Sequence, residues 1–467
     1  MGDSSRLKQA LEGLREQPDQ LIEIILRQAG VIEAHDKKIQ ELEQQIRDLN
    51  DRNNGLSQKV EQLEKAVARQ AAPFRLKDNK RVTHPKKPGR KKDHPGSHRP
   101  IPAHIDDEIH IPLCHCPECG QKVQAERSIV QYIEEIPPVR PLVIKLVTEE
   151  GHCPHCAKTV RSTHPLQVSV AEGAAGVHLG PNALGIALEL NKKHGVTMRK
   201  TCAVLQQLFN LKLTPGGLSQ ALARLAKKLE PSYENLLARL RDGPYVHSDE
   251  TSWWVGGPGH WLWVFADKKT TVYRVADGRG RNIVEDTLGE NYPGVLVSDC
   301  LSIYDEVNAR QQKCYAHHLK AISKAMEELP SPYLGELKAL LKGAMALKSA
   351  GLAQEEFRQR RMALEQEAQR LLETPRPGLE EKVRKRLWKQ RDHLFTFLDF
   401  QEVDATNNLA ERQLRPAVIA RKVSCGNKTT AGAKVWQILT SMVATCAQRG
   451  ESFAALVDQA ARLNFAR

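Results

Sequence analysis

Apolar residues near the start of the chain recur at alternating spacings of three and four. Read from Ile32, the a positions of a heptad are Ile32, Ile39, Ile46, Asn53, Val60 and Val67, and the d positions are His35, Leu42, Leu49, Leu56 and Leu63. β-Branched residues at a with Leu at d favour a parallel two-stranded coiled coil, and a buried Asn53 pair fixes register and dimer state. The pattern predicts a homodimer through residues 30–70. A long amphipathic helix packed on its own domain is the alternative, and Gly55 weakens the helix locally in either case.

A second helical pattern fills roughly 175–241. Asn182–Lys193 is apolar at helical spacing up to His194-Gly195, and Met198–Phe209 follows. Leu213-Thr214-Pro215 then opens a long amphipathic helix to Arg241, with Thr214 as N-cap and Pro215 at the first helical position. This is the outline of a helix-turn-helix, or of a packing module with the same layout.

From Tyr245 the period changes to two. Pro244–Ser248 reads as a strand ending at Asp249. Trp261–Ala266 and Thr271–Val275 are alternating runs joined by Asp267-Lys-Lys, a short helix follows near Asn282–Leu288, and Gly294–Ser298 is a continuous apolar run that ends on Asp299. An unbroken apolar run of that length suits a buried central strand. Lys313-Cys-Tyr-Ala-His317 reads as a further strand end. The order β-β-β-α-β is that of a ribonuclease-H-like fold, in which the first and fourth strands are neighbours, so Asp249 and Asp299 are expected side by side. Residues 318–401, rich in Leu, Ala, Glu, Lys and Arg, read as a helical insertion. Asp404 or Thr406 is expected to cap the helix that follows, which carries Asn407, Asn408, Glu411, Arg412 and Arg415.

Charge and cysteine spacing change this picture. A chain of 467 residues with a formal net charge of +13 and a pI near 9.2 is too long for one core and suits a polyanionic partner. The polar N-terminus has no leader-like apolar stretch, and no apolar run approaches the roughly 20 residues of a membrane span, so a soluble, intracellular protein is expected, with no membrane partner. Residues 75–100 are basic and proline-rich, a composition that cannot bury a core. Their Lys86, Lys87, Arg90, Lys91 and Lys92 suit phosphate contacts, although a merely solubilising linker is the alternative. Four of the ten cysteines form two Cys-Pro-x-Cys pairs, Cys116/Cys119 and Cys153/Cys156, with 33 residues between them. Two such turns supply a tetrahedral S4 site for structural Zn2+, with Val130–Ile136 and Leu142–Thr148 as the strands of a zinc ribbon.

Two acids at strand ends and a third on a later helix are a set able to converge on a pair of divalent ions. Hard oxygen ligands hold Mg2+ or Mn2+ while leaving sites open for water and phosphate. Asp249 is expected between the two ions, with Asp299 and Glu411 on either side. Glu250, expected on the opposite face of its strand, and Asp305 are the competitors. Arg199, Lys200, Arg412, Arg415, Arg421, Lys422 and Lys428 are placed for DNA phosphates, and Asn408 shares a helical face with Glu411.

Taken together, the zipper, the Lys-Pro-Gly-Arg-Lys-Lys segment, the paired knuckle, Asp249-Glu-Thr251, Val297-Ser-Asp299, Cys314-Tyr-Ala-His317 and Asn407-Asn-Leu-Ala-Glu-Arg412 resemble a bacterial transposase of the insertion sequence 66 family, within the Asp-Asp-Glu superfamily. The resemblance implies that Asp249, Asp299 and Glu411 are catalytic metal ligands. It implies strand cleavage and transfer at transposon ends, double-stranded DNA as partner at ends and target, and small accessory proteins of the element as further partners. It also implies a cytoplasmic, nucleoid-associated location in a bacterium. For His317, a place at the scissile phosphate and a packing role both stay open. An inactive DNA-binding regulator and a non-transposing nuclease of the same fold are the rival functions.

The fold class expected is multidomain α+β. Its parts are a coiled-coil region (1–72), a basic linker (73–104), a zinc ribbon (105–172), a helical DNA-binding region (173–242), a ribonuclease-H-like core (243–317 and 402–450) interrupted by the insertion (318–401), and a tail (451–467).

Overall fold

The computed structural model describes residues 18–71, 99–124, 127–137, 139–169 and 176–461. The basic linker residues Lys86, Lys87, Arg90, Lys91 and Lys92 lie outside the described residues. The chain divides into two units, residues 1–98 and 99–467.

In the first unit a single helix, α1 (Pro18–Ala71), begins well before the heptads do. Pro18 opens it, Asp19 complements its N-terminal dipole, and ion pairs such as Lys37–Glu33 and Lys38–Glu41 line its sides. The heptad residues Ile32, Ile39, Leu42, Ile46, Leu49 and Leu56 run along it about half exposed.

The strands expected at Val130–Ile136 and Leu142–Thr148 do not form; both stretches lack regular secondary structure, with most of their apolar side chains exposed. An alternating pattern specifies a strand only where a partner edge and a core are at hand. The strands that do form are short: β1 (Glu150–Cys153) and β2 (Lys158–Arg161), an antiparallel hairpin. Helix α2 (Pro181–Leu188) runs into one π turn at Glu189–Lys193 and is followed by α3 (Met198–Phe209) and α4 (Pro215–Arg241). The Thr214 hydroxyl accepts from the Gly217 N–H at 3.0 Å, the N-cap its sequence predicts.

A five-stranded mixed sheet forms the centre. Its strands are β3 (Tyr245–Trp253), β4 (His260–Ala266), β5 (Thr271–Ala276), β6 (Val295–Ser298) and β7 (Arg310–Lys313), in the order β5-β4-β3-β6-β7. β3, β4 and β5 pair antiparallel, whereas β3–β6 and β6–β7 are parallel. Helix α5 (Arg281–Leu288) makes the crossover to β6. As expected, the first and fourth strands of the sheet are neighbours. β3 is longer than its apolar residues suggested, so Asp249 lies inside the strand, paired with Val264, and not at its end.

After β7 the chain turns into α6 (Tyr315–Glu328), which places His317 in the first turn of a helix and corrects the strand end read there. Helices α7 (Pro332–Lys348), α8 (Gln354–Glu373) and α9 (Gly378–Lys389) complete the helical insertion and share a core with Tyr245, Val295 and Val297. Helix α10 (Asn408–Ser424) then returns to the sheet. Neither Asp404 nor Thr406 caps it; Asn407 holds the N-cap position without a side-chain cap bond. Helix α11 (Thr430–Arg449) closes the open edge of β5. Its Thr445 and Ser441 hydroxyls and Gln437 amide oxygen accept from the N–H groups of Thr271, Tyr273 and Val275. Unpaired edge donors are thereby satisfied and hidden from other strands. The segment read as a tail contains a helix instead, α12 (Phe453–Ala461), which buries Phe453 and Val457 in the core of α2 and α4. Among the described residues no helix is long and apolar enough to cross a membrane.

Candidate metal centre on the sheet

The parallel register pairs Tyr245 with Val295, Val246 with Leu296 and His247 with Val297. Carried two residues further, it sets Asp249 beside Asp299. β6 has ended by then, because the Asp299 carboxylate accepts from the Leu301 N–H at 2.9 Å and turns the chain away. β3 continues because β4 still pairs with it. Asp249 therefore sits on an overhang of β3 next to the first residue past β6. Its carboxyl accepts the Glu250 N–H at 2.9 Å. Burial, together with the charges of Glu250, Asp299 and Glu411, pushes its pKa up to about 7.

Glu411 reaches this place through a clamp at the start of α10. The fully buried Asn407 donates from Nδ2 to the Ser248 carbonyl at 2.7 Å, and its Oδ1 lies 3.1 Å from His247 Nδ1. Burial drives the His247 pKa down to about 4, so the ring is neutral and its Nδ1–H donates to the amide. The Asn407 N–H donates to Cys314 Sγ at 3.1 Å. The residue before Asp249 and the one after β7 are thus bolted to the turn from which Glu411 extends. The far end of α10 is fixed too. Arg421, expected on a DNA backbone, instead donates to the Thr251 hydroxyl at 3.0 Å and to Ser252. Asn407 entered the sequence reading as a residue of the helix that carries Glu411; its buried position carries a role that the sequence did not show.

The two competing acids are engaged elsewhere. Glu250, on the opposite face as expected, accepts from Arg279 at 2.6 Å and from the Tyr304 hydroxyl at 2.6 Å. Asp305 lies 3.0 Å from the fully buried Lys313 ammonium and 2.9 Å from Lys389. His317 Nδ1 lies 4.0 Å from a Glu411 oxygen. Asn408 is exposed and, with Arg412, Thr406, Asp404 and Lys348, lines a cavity of about 320 Å³. Arg199 and Lys200 on α3, Arg412, Arg415 and Lys422 on α10, and Lys428 beyond it are exposed.

Residues 176–435, just over half of the chain, match the family model described as Transposase IS66 family. The chain belongs to that family. The matched stretch contains Asp249, Asp299 and Glu411 and ends inside α11; the coil and the cysteine pairs lie outside it. The chain is also similar to the uncharacterized protein y4qI of Sinorhizobium fredii (strain NBRC 101917 / NGR234), 25% identical over 273 residues. It spans about half the length of that curated relative.

Outside the matched stretch, this IS66 family chain forms both Cys-Pro-x-Cys turns at the tips of small hairpins. Cys153 pairs with Lys158 across β1–β2, and in the other turn the Cys116 N–H donates to the Gln121 carbonyl at 2.8 Å. In each, the residue after the second cysteine takes a left-handed backbone, Gly120 at φ 73° and Ala157 at φ 53°. Backbone N–H groups of Cys119 and Glu118 lower the Cys116 pKa, and those of Cys156 and His155 do the same for Cys153. The backbone donors in each turn thus favour the thiolate form. No three of the four sulfurs come within 4.8 Å of one another.

Proposed function

We propose that this chain is a DNA transposase with a ribonuclease-H-like core, in which Asp249, Asp299 and Glu411 hold two Mg2+ or Mn2+ ions. The observation that carries the reading is the register of β3 and β6 next to Asp249 and Asp299, with α10 and its Glu411 tied to β3 through Asn407. Asp249 is partly buried, and the neighbouring charges of Glu250, Asp299 and Glu411 raise its pKa, whereas Glu250 and Asp305 each pair with a cation. An all-oxygen donor set with excess negative charge fits hard divalent ions. When bound, such a pair supplies an activated attacking oxygen and a charge at the leaving oxygen of a phosphodiester.

The chain's own residues do the rest. Asp249, on β3, would be a ligand of the ions. Asp299 and Glu411 flank it, and the Asn407 clamp fixes the distance between strand and helix. Arg412, Arg415 and Lys428 give DNA phosphates an exposed basic surface around α10, and Arg199 and Lys200 do so on α3. In this reading the four cysteines bind one structural zinc, and the stripe on α1 pairs with a second copy, bringing two element ends together.

The test incubates the full chain with Mg2+ and DNA bearing the ends of its element. Wild type is expected to release nicked ends and join them to target DNA, while Asp299→Asn does neither. Equal products from both proteins, or none from wild type, contradict the enzyme reading; the latter favours a DNA-binding regulator. Cleavage without joined product assigns a nuclease.

A further inference from the structure

Cys314, His317 and Glu411 each offer a ligand atom, and the three atoms lie within 4.8 Å of one another. Among the described residues no other group of three or more His, Cys, Asp or Glu ligand atoms is so close. Cys314 is buried at the N-cap of α6, His317 stands one turn on, and Glu411 approaches from α10. The spacing of three residues puts Cys314 and His317 on one side of a helix start. His317 Nδ1 is buried without a hydrogen-bond partner and is aimed at Glu411, 4.0 Å away. Cys314 Sγ already accepts the Asn407 N–H, while burial pushes its thiol pKa up, so a metal must displace the thiol proton.

One sulfur, one imidazole nitrogen and one carboxylate oxygen make a borderline-soft set. Zn2+ and Co2+ accept such ligands with a fourth position open, whereas Mg2+ prefers oxygen alone. We propose that Cys314, His317 and Glu411 form a binding site for a borderline-soft divalent cation such as Zn2+, and that its occupation withdraws Glu411 from Asp249 and Asp299 and stops the reaction. Binding forms a metal–sulfur bond and releases the thiol proton to solvent. The site stands on these three side chains; its inhibitory consequence rests on the reading of Glu411 given above.

The experiment supplies the full chain with one equivalent of Zn2+, which the four-cysteine set takes first, and then titrates Co2+. A thiolate-to-cobalt charge-transfer band is expected to saturate near one Co2+ per chain. It should vanish in Cys314→Ser, and in His317→Ala the cobalt affinity should fall at least about tenfold. No band in wild type, or an unchanged band in Cys314→Ser, overturns the site. In a second arm, Zn2+ is added to Mg2+-dependent cleavage, each variant being compared with its own zinc-free rate. The inhibition midpoint should rise at least about tenfold in His317→Ala. Cleavage indifferent to Zn2+ overturns the inhibition while the site stands on its cobalt band. If no protein cleaves, the functional reading fails and the inhibition with it, and the cobalt band still decides the site.

Discussion

Asp249 is held by two strands, a helix and a buried asparagine, all drawn from distant parts of the chain. Cys116 and Cys153 are held almost wholly by residues within a few positions of themselves. The carboxylate site is assembled by packing: β3 and β6 set two acids side by side, and Asn407 bolts the helix of the third to β3. The cysteine turns have their local geometry, but the segment between them exposes Ile129, Val130, Ile133, Ile136, Leu142 and Val143. A site that packing assembles exists before its ligand arrives. A site that packing leaves in two halves needs the ligand to complete it, and metal binding then becomes folding.

The largest expected effect separates the two regions. Structural zinc is worth on the order of 10 kcal/mol to a small domain. Chelation is therefore expected to deprotect amides across 105–169 in hydrogen exchange while β3 and β6 stay protected; simultaneous loss in both regions breaks the contrast.

Next comes the clamp. Asn407→Ala leaves His247 and the Ser248 carbonyl buried without partners, at a cost of roughly 2–4 kcal/mol in denaturant unfolding. It should also weaken Mn2+ binding, which a loss of stability alone does not do while the protein stays folded. Unchanged Mn2+ affinity would detach the clamp from the site.

Asp249 gives a smaller, pH-dependent effect. Its folded pKa of about 7 lies above the unfolded value of about 3.9, so the folded state binds the proton more tightly. That contribution to stability is fully present below about pH 4 and is lost as pH rises through about 7. In chelator, wild type should lose melting temperature between these limits, and Asp249→Asn should lose less. The opposite slope contradicts the crowding of acids described here.

The smallest effect is remote from both regions. Thr214→Ala removes the cap of α4 and is expected to cost about 1 kcal/mol in unfolding without changing cleavage.

The elements with strong periodicity were legible in the sequence: α3, α4, β4, β5, β6 and the helices of the insertion. So was the neighbourhood of Asp249 and Asp299. β3 was read too short because Ser248-Asp-Glu-Thr-Ser252 looks like a polar loop. Those groups sit in the strand because Tyr304, Asn407, Arg279 and Arg421 meet them from elsewhere, and no local pattern carries that information. For the same reason Arg421 read as a DNA contact. His317 read as a strand end because Cys-Tyr-Ala-His is apolar and short, too little to show the turn of a helix. Val130–Ile136 and Leu142–Thr148 err in the other direction: short runs rich in β-branched residues that form no strand among the described residues.

The two-ion site requires Glu411 to join the two aspartates. Mn2+ binding to the full chain carrying one Zn2+ per molecule, followed by electron paramagnetic resonance, tests this most directly. Two ions per chain are expected for wild type and for Asp305→Asn, with binding weakened at least about tenfold in each of Asp249→Asn, Asp299→Asn and Glu411→Gln. Wild-type Mn2+ binding by Glu411→Gln contradicts it.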